Sequence, residues 1–111
     1  MAMPPTVPAI SAKELKQRRD GKLPHLLVDV REPSEHAHCS IDGAKLIPLA
    51  ELPGRLHQLP KDQEIIVHCH HGGRSAQAVR FLIESGFAAA KNLSGGIDAW
   101  SADVDPSVPR Y

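Results

Sequence analysis

The chain has no excess of either charge: thirteen Lys and Arg balance thirteen Asp and Glu across 111 residues. That lack excludes the large positive field by which a protein collects nucleic acid or an anionic membrane surface, so any electrostatic specialisation has to be local. No apolar run approaches the roughly 20 residues needed to cross a bilayer. The opening MAMPPTVPAIS has neither the charged start nor the long apolar middle of a secretory leader, so the expected location is the cytoplasm. Cysteine is scarce. Cys39 and Cys69 can pair only once, and a reducing compartment keeps both as thiols. Repeats and low-complexity tracts are missing too, and at this length a 41% hydrophobic content builds one core rather than two. A thiol that is not needed as a staple is free to act as a nucleophile.

What is present is a regular alternation of short apolar runs and helix-like stretches. Residues 1–9 are rich in proline and have little to pack, so they read as an arm. Ser11-Ala12-Lys13-Glu14 has the S-x-x-E form of a capping box and starts a helix that stops at Asp20-Gly21. His25 to Val30 is an apolar run suited to a strand buried on both faces. A turn or short helix follows near Ser34 to His38. Ala44 to Leu49 predicts a second strand, and Leu52, Leu56 and Leu59 predict a helix with Pro53 in its first turn. Glu64 to His68 is a third strand. Ala76, Val79, Leu82 and Ile83 form one face of a helix that ends at Gly86. Ala88 to Leu93 is a fourth strand, Ile97 to Trp100 a short helix with Trp100 in the core, and 101–111 a polar tail. This order predicts an α/β layer structure with a mostly parallel sheet, whose functional crevice lies beyond the carboxyl ends of the strands after Val30 and His68.

The second of those places is the stretch Cys69-His70-His71-Gly72-Gly73-Arg74-Ser75. Glycines let the backbone curl so that several amides point into one concavity, and the helix that opens beside Arg74 and Ser75 adds partial positive charge. Such a cradle suits an anion. A thiol at its centre ionises more easily, held by the same amides with Arg74 nearby, so Cys69 is expected to be a thiolate near neutral pH.

The series D-V-R-E-P, G-A-x-x-I-P-L, C-x-x-G-x-R-S and L-x-G-G-I-x-A-W resembles a rhodanese domain over about residues 10–100, and the combination is specific although no single piece is. The resemblance implies a three-layer α/β/α rhodanese-like fold with a central, mostly parallel sheet. It also implies a sulfurtransferase: Cys69 takes a sulfane sulfur from a donor such as thiosulfate or a protein persulfide. Cys69 then carries it as a covalent persulfide, with no separate cofactor, and passes it to a thiophilic acceptor such as cyanide, a dithiol or a sulfur-carrier protein. His70, His71, Gly72, Gly73, Arg74 and Ser75 match the loop that binds the persulfide. Four residues separate Cys69 from Arg74, whereas related phosphatases and arsenate reductases carry five, so a smaller ring of amides fits one sulfur better than a tetrahedral oxyanion.

Asp29 and Arg31 match the family's D-x-R, as supporting residues, with Arg31 read first as an ion-pair partner and second as part of an anion-attracting rim. His70 and His71 stand at variable positions of the loop, where they either tune charge and access or simply face solvent. The sequence departs from the family where Cys39-Ser40 replaces a usual Gly-His. That puts local packing in question, and leaves Cys39 either inert or a resolving thiol for Cys69. Two alternatives stand beside the enzyme. A metal-binding module would use His36, His38, Cys39, His68, Cys69, His70 and His71, although C-x2-C and H-x3-H spacings are missing. A silent interaction module would be expected to lose Cys69. The ending resembles that of rhodanese domains fused to E1-like enzymes that activate ubiquitin-like sulfur carriers, which implies a carrier protein or a cysteine desulfurase as partner.

Overall fold

Five short strands line up in parallel, each brought back to the same end of the sheet by the segment that follows it. The structure, a computed structural model, describes residues 7–111. In chain order the elements are β1 (Ala9–Ile10), α1 (Ala12–Asp20), β2 (His25–Asp29), α2 (Pro33–His38), β3 (Lys45–Leu46), a 3-10 segment (Leu49–Gln58), β4 (Glu64–His68), α3 (Gly73–Glu84), β5 (Ala90–Leu93) and α4 (Gly96–Asp103). The sheet order is β1-β5-β4-β2-β3, and every pairing is parallel.

The central strands are apolar on both faces because both faces are covered. Side-chain alternation divides the interior in two. Val28, Ile65, Val67 and Cys69 pack with Ala78, Val79 and Leu82 of α3 and with Leu52 of the 3-10 segment. Leu27 and Ile66, one residue out of phase, pack with Leu15 of α1 and with Ile97 and Trp100 of α4. The expected three-layer arrangement is therefore present, and Trp100 belongs to the core. Cys39 lies in the second cluster and Cys69 in the first. Both thiols are free.

Several local expectations are corrected. Ala9 falls in β1 rather than in an arm, and the Pro8 carbonyl accepts the Asn92 amide at 2.8 Å. Val7 packs against the first core, and residues 1–6 of the predicted arm lie outside the described residues. The strand expected over Ala44 to Leu49 shrinks to Lys45–Leu46, since Pro48 has no amide to continue a ladder. Pro53 lies inside the 3-10 segment, not in its first turn, and the helical geometry breaks at Arg55. The capping box at Ser11 and Glu14 forms as read. The polar tail expected over 101–111 is in part helix and in part core: α4 continues to Asp103, and Val108 is buried among Ile97, Trp100 and their neighbours.

Candidate active site

Cys69 is the first residue past β4, at the carboxyl edge of the sheet, where the chain leaves the ladder and turns into α3. The turn depends on Gly72, whose φ of 119° is a conformation that side-chain-bearing residues rarely adopt. With the backbone so turned, the Gly72 amide donates to Cys69 Sγ at 3.1 Å, and the Ser75 amide, in the first turn of α3, donates at 3.4 Å. Two amides thus point inward at the sulfur.

The loop's carbonyls are drawn the opposite way. The amide of Ile97 donates to Cys69 O at 2.9 Å and that of Asp98 to His70 O at 3.2 Å, so the start of α4 satisfies the outward-facing oxygens. Gly96 makes this approach possible: a Cβ there would lie 2.4 Å from the His70 oxygen and 2.5 Å from the Cys69 oxygen. The second glycine of the L-x-G-G-I motif therefore serves the cysteine loop directly.

Ser75 Oγ lies 3.3 Å from Cys69 Sγ and also donates to Asn92 Oδ1 at 2.5 Å, while Asn92 Nδ2 donates to Gly72 O at 3.3 Å. A hydroxyl has one proton to give. With a neutral thiol, the S–H donates to Ser75 and Ser75 to Asn92; with a thiolate, the Ser75 hydroxyl can turn to the sulfur. Burial pushes the Cys69 thiol up, but the Ser75 hydroxyl and the amides of Ser75, Gly72 and Arg74 outweigh it, so the net shift is below the ordinary thiol value. Cys69 is only 1% exposed.

Arg74 does not reach the sulfur with its guanidinium among the described contacts. It donates through Nη1 and Nη2 to the two carboxylate oxygens of Glu35 on α2, at 2.6 and 2.9 Å. That fork, together with a hydrogen bond from Tyr111, holds the Glu35 carboxyl down at about 2, against a smaller opposing effect of burial. The Arg74 side chain stays 37% exposed.

Asp29 and Arg31 form a different kind of pair. Both are fully buried, and Arg31 donates through Nε and Nη2 to Asp29 at 2.9 and 2.8 Å, through Nη2 to Cys39 O at 2.6 Å, and through Nη1 to Tyr111 Oη at 2.8 Å. His36 Nδ1 meets Asp29 Oδ2 at 2.8 Å, and His68 Nε2 lies 4.0 Å from the same oxygen. His68 is buried with no hydrogen-bond partner for Nε2 among the described residues, and burial lowers its pKa to about 4 despite Asp29. His70 is partly buried and stacks between His71 and Tyr111, while His71 is open to solvent.

Of the residues singled out from sequence, Gly72 and Ser75 converge on Cys69, Arg74 turns to Glu35, and Asp29 and Arg31 form a separate buried pair at the end of β2. Among the described residues, no group of three or more His, Cys, Asp or Glu is placed to hold a metal ion. Sequence reading missed Glu35, Asn92 and Tyr111. Glu35 had a local signal, since Glu32-Pro33-Ser34-Glu35 forms a capping box at the start of α2, but its ion pair spans 39 positions.

Comparison with known proteins agrees with this geometry. The rhodanese-like domain family matches residues 11–103. A sulfurtransferase of Allochromatium vinosum is 38% identical over 99 residues, 89% of this chain and 92% of its own. The adenylyltransferase and sulfurtransferase MOCS3 of Arabidopsis thaliana is 35% identical over 96% of this chain, which spans 26% of that protein. The crystal structure of a rhodanese-like domain protein from Staphylococcus aureus superimposes with a TM-score of 0.82 at 34% identity, covering 94% of this chain and 98% of that one. The chain belongs to the rhodanese-like domain family.

Proposed function

We propose that this chain is a sulfurtransferase in which Cys69 receives a sulfane sulfur, holds it as a persulfide and delivers it to a nucleophilic acceptor. The observation that carries this reading is the convergence of the Gly72 and Ser75 amides and the Ser75 hydroxyl on one sulfur atom. The sulfurtransferase from Allochromatium vinosum, similar over most of both chains, supports the same reaction class.

The chemistry asks for little else. Cys69 thiolate attacks the outer sulfur of thiosulfate, a new S–S bond forms as the donor S–S bond breaks, and sulfite leaves with the electron pair. In the second step cyanide, a dithiol or a carrier protein attacks the terminal sulfur, and Cys69 leaves as a thiolate. The cradle steadies negative charge on either sulfur, and among the described residues Ser75 is the one side chain placed to share a proton with it. His70, His71, Gly73 and Arg74 complete the rim, while the buried Asp29–Arg31 pair fixes the loop opposite. A protein persulfide made by a cysteine desulfurase is an equivalent donor. The MOCS3-type relatives and a putative sulfur carrier protein, YrkF of Bacillus subtilis, favour a ubiquitin-like carrier as acceptor, in the reducing cytoplasm where a free thiol persists.

Intact mass decides the matter. After incubation with thiosulfate, or with a cysteine desulfurase and cysteine, the protein gains one sulfur atom that dithiothreitol removes, and Cys69→Ser gains none. Equal gain in Cys69→Ser would overturn the assignment.

A further inference from the structure

Cys69 is almost fully covered, yet its reaction needs a partner to reach the sulfur. The segment 104–111 is anchored so that its end lies against the residue that follows Cys69. Val104 and Asp105 both donate their amides to Trp100 O at 2.9 Å, Ser101 Oγ donates to Val108 O at 2.6 Å, and the Val108 side chain enters the core beside Trp100. Arg110 then forks onto Asp98 at 2.9 and 3.1 Å, next to His71. This run of anchors delivers Tyr111 to the carboxyl end of the sheet.

Tyr111 there touches both loops that frame the site. Its hydroxyl accepts from Arg31 Nη1 at 2.8 Å and donates to Glu35 Oε2 at 2.7 Å. Its ring lies flat on His70, the residue after Cys69, with centroids 3.9 Å apart and planes 4° from parallel, and it meets His38 edge-on at 5.5 Å. Glu35 passes the contact on to Arg74. The ring therefore spans from α2 to the cysteine loop, with 41% of Tyr111 facing outward.

The arrangement is not simply cement. Under the ring, His70 Nε2 is sealed from solvent without a hydrogen-bond partner among the described residues. Such a group pulls toward water, so the closed position works against an open one in which the imidazole is hydrated. The hydroxyl, by contrast, is held neutral: burial and Glu35 push its pKa up to about 12 against the opposing pull of Arg31.

We propose that Tyr111 is a specificity-determining residue whose ring forms one wall of the entrance to Cys69 and sorts sulfur donors and acceptors by width. A slender partner, such as a small thiosulfate-like anion or an extended peptide end, passes beside the ring. A broad aromatic one has to displace it from Arg31, Glu35 and His70. This selection rests on the persulfide reading for its biological meaning, but the access it describes is a property of the thiol alone.

The test compares the rates at which a narrow reagent, iodoacetamide, and a broad one, N-pyrenylmaleimide, alkylate Cys69 in the full chain, with the modified residue identified by peptide mass so that Cys39 does not contribute. In Tyr111→Ala the ratio of broad to narrow rates rises about tenfold, the change produced by removing a small steric barrier. Tyr111→Phe, which keeps the ring but loses both hydroxyl contacts, shifts the ratio in the same direction by less, and circular dichroism checks that both variants fold as the parent does. A ratio in folded Tyr111→Ala equal to the parent's would overturn the proposal. Sulfur loading measured in parallel separates the two claims. Loading with an unmoved ratio removes only the entrance role, and a moved ratio without loading removes only the sulfurtransferase reading.

Discussion

Two arginines follow two neighbouring parallel strands, and they do different work. Arg31, just past β2, is fully buried, and its guanidinium is shared among the Asp29 carboxylate, the Cys39 carbonyl and the Tyr111 hydroxyl. Arg74, just past the cysteine loop, is more than a third exposed and bound to one carboxylate. The same residue type at the same edge of the sheet becomes a brace in one case and an adjustable charge in the other. What decides between them is the number of partners and the access of water. A buried guanidinium that loses its carboxylate has no solvent to fall back on, whereas a half-exposed one simply changes partners.

The largest effect that sharpens this contrast is on the buried side. Arg31→Ala leaves Asp29 charged, buried and short of its main partner, and is expected to lower stability by about 3–5 kcal/mol, read as a fall in the urea midpoint. A loss as small as that of a surface substitution would erase the distinction between the two arginines.

The next effect concerns His68, which faces Asp29 from β4 in the same buried cluster. Burial lowers its pKa from 6.5 to about 4, the nearby carboxylate notwithstanding. Below pH 6.5 the unfolded chain takes up a proton on this ring that the folded chain refuses until about pH 4. The unfolded state then binds more protons, so stability present above pH 6.5 is lost as pH falls through that window, by about 3 kcal/mol in all. His68→Gln should flatten the difference between urea midpoints measured at pH 7 and pH 4.5. An undiminished slope in the variant would place the acid sensitivity elsewhere.

The smallest effect on stability belongs to Arg74. Arg74→Ala is expected to change the unfolding free energy by less than about 1 kcal/mol, as for other partly exposed ion pairs. Its use of anionic sulfur donors should fall more than its reaction with neutral iodoacetamide. Equal losses in both would mean that Arg74 acts only through loop shape or thiol ionisation, and a large loss of stability would make it a second Arg31.

The contrast also explains which parts of the molecule were legible in the sequence. Cys69 to Ser75 could be read because strand, glycine turn and helix start are consecutive, so the cradle is a local consequence of local residues. The parallel order followed from apolar runs long enough to need covering on both faces. β1 was invisible because two residues carry no periodicity, and its place is set by pairing with Asn92 and Leu93, far along the chain. Glu35, Asn92 and Tyr111 belong to the site only because the sheet brings their segments to one end, and no spacing rule spans such distances. The ending is polar in composition and reads only as a tail, yet Val108 in the core, the fork between Arg110 and Asp98 and the hydrogen bonds of Tyr111 hold it.

One consequence follows from the way α4 begins. Its first peptide groups take up the oxygens of Cys69 and His70, which leaves the loop's hydrogens aimed at the sulfur. The compensation for an added electron pair is thus made of fixed dipoles in direct contact, not of mobile ions at a distance. Dissolved salt weakens attraction between separated charges but hardly penetrates contacts of about 3 Å inside a protein. The reactivity proposed for Cys69 is therefore insulated from ionic conditions that would still govern how quickly a charged donor arrives.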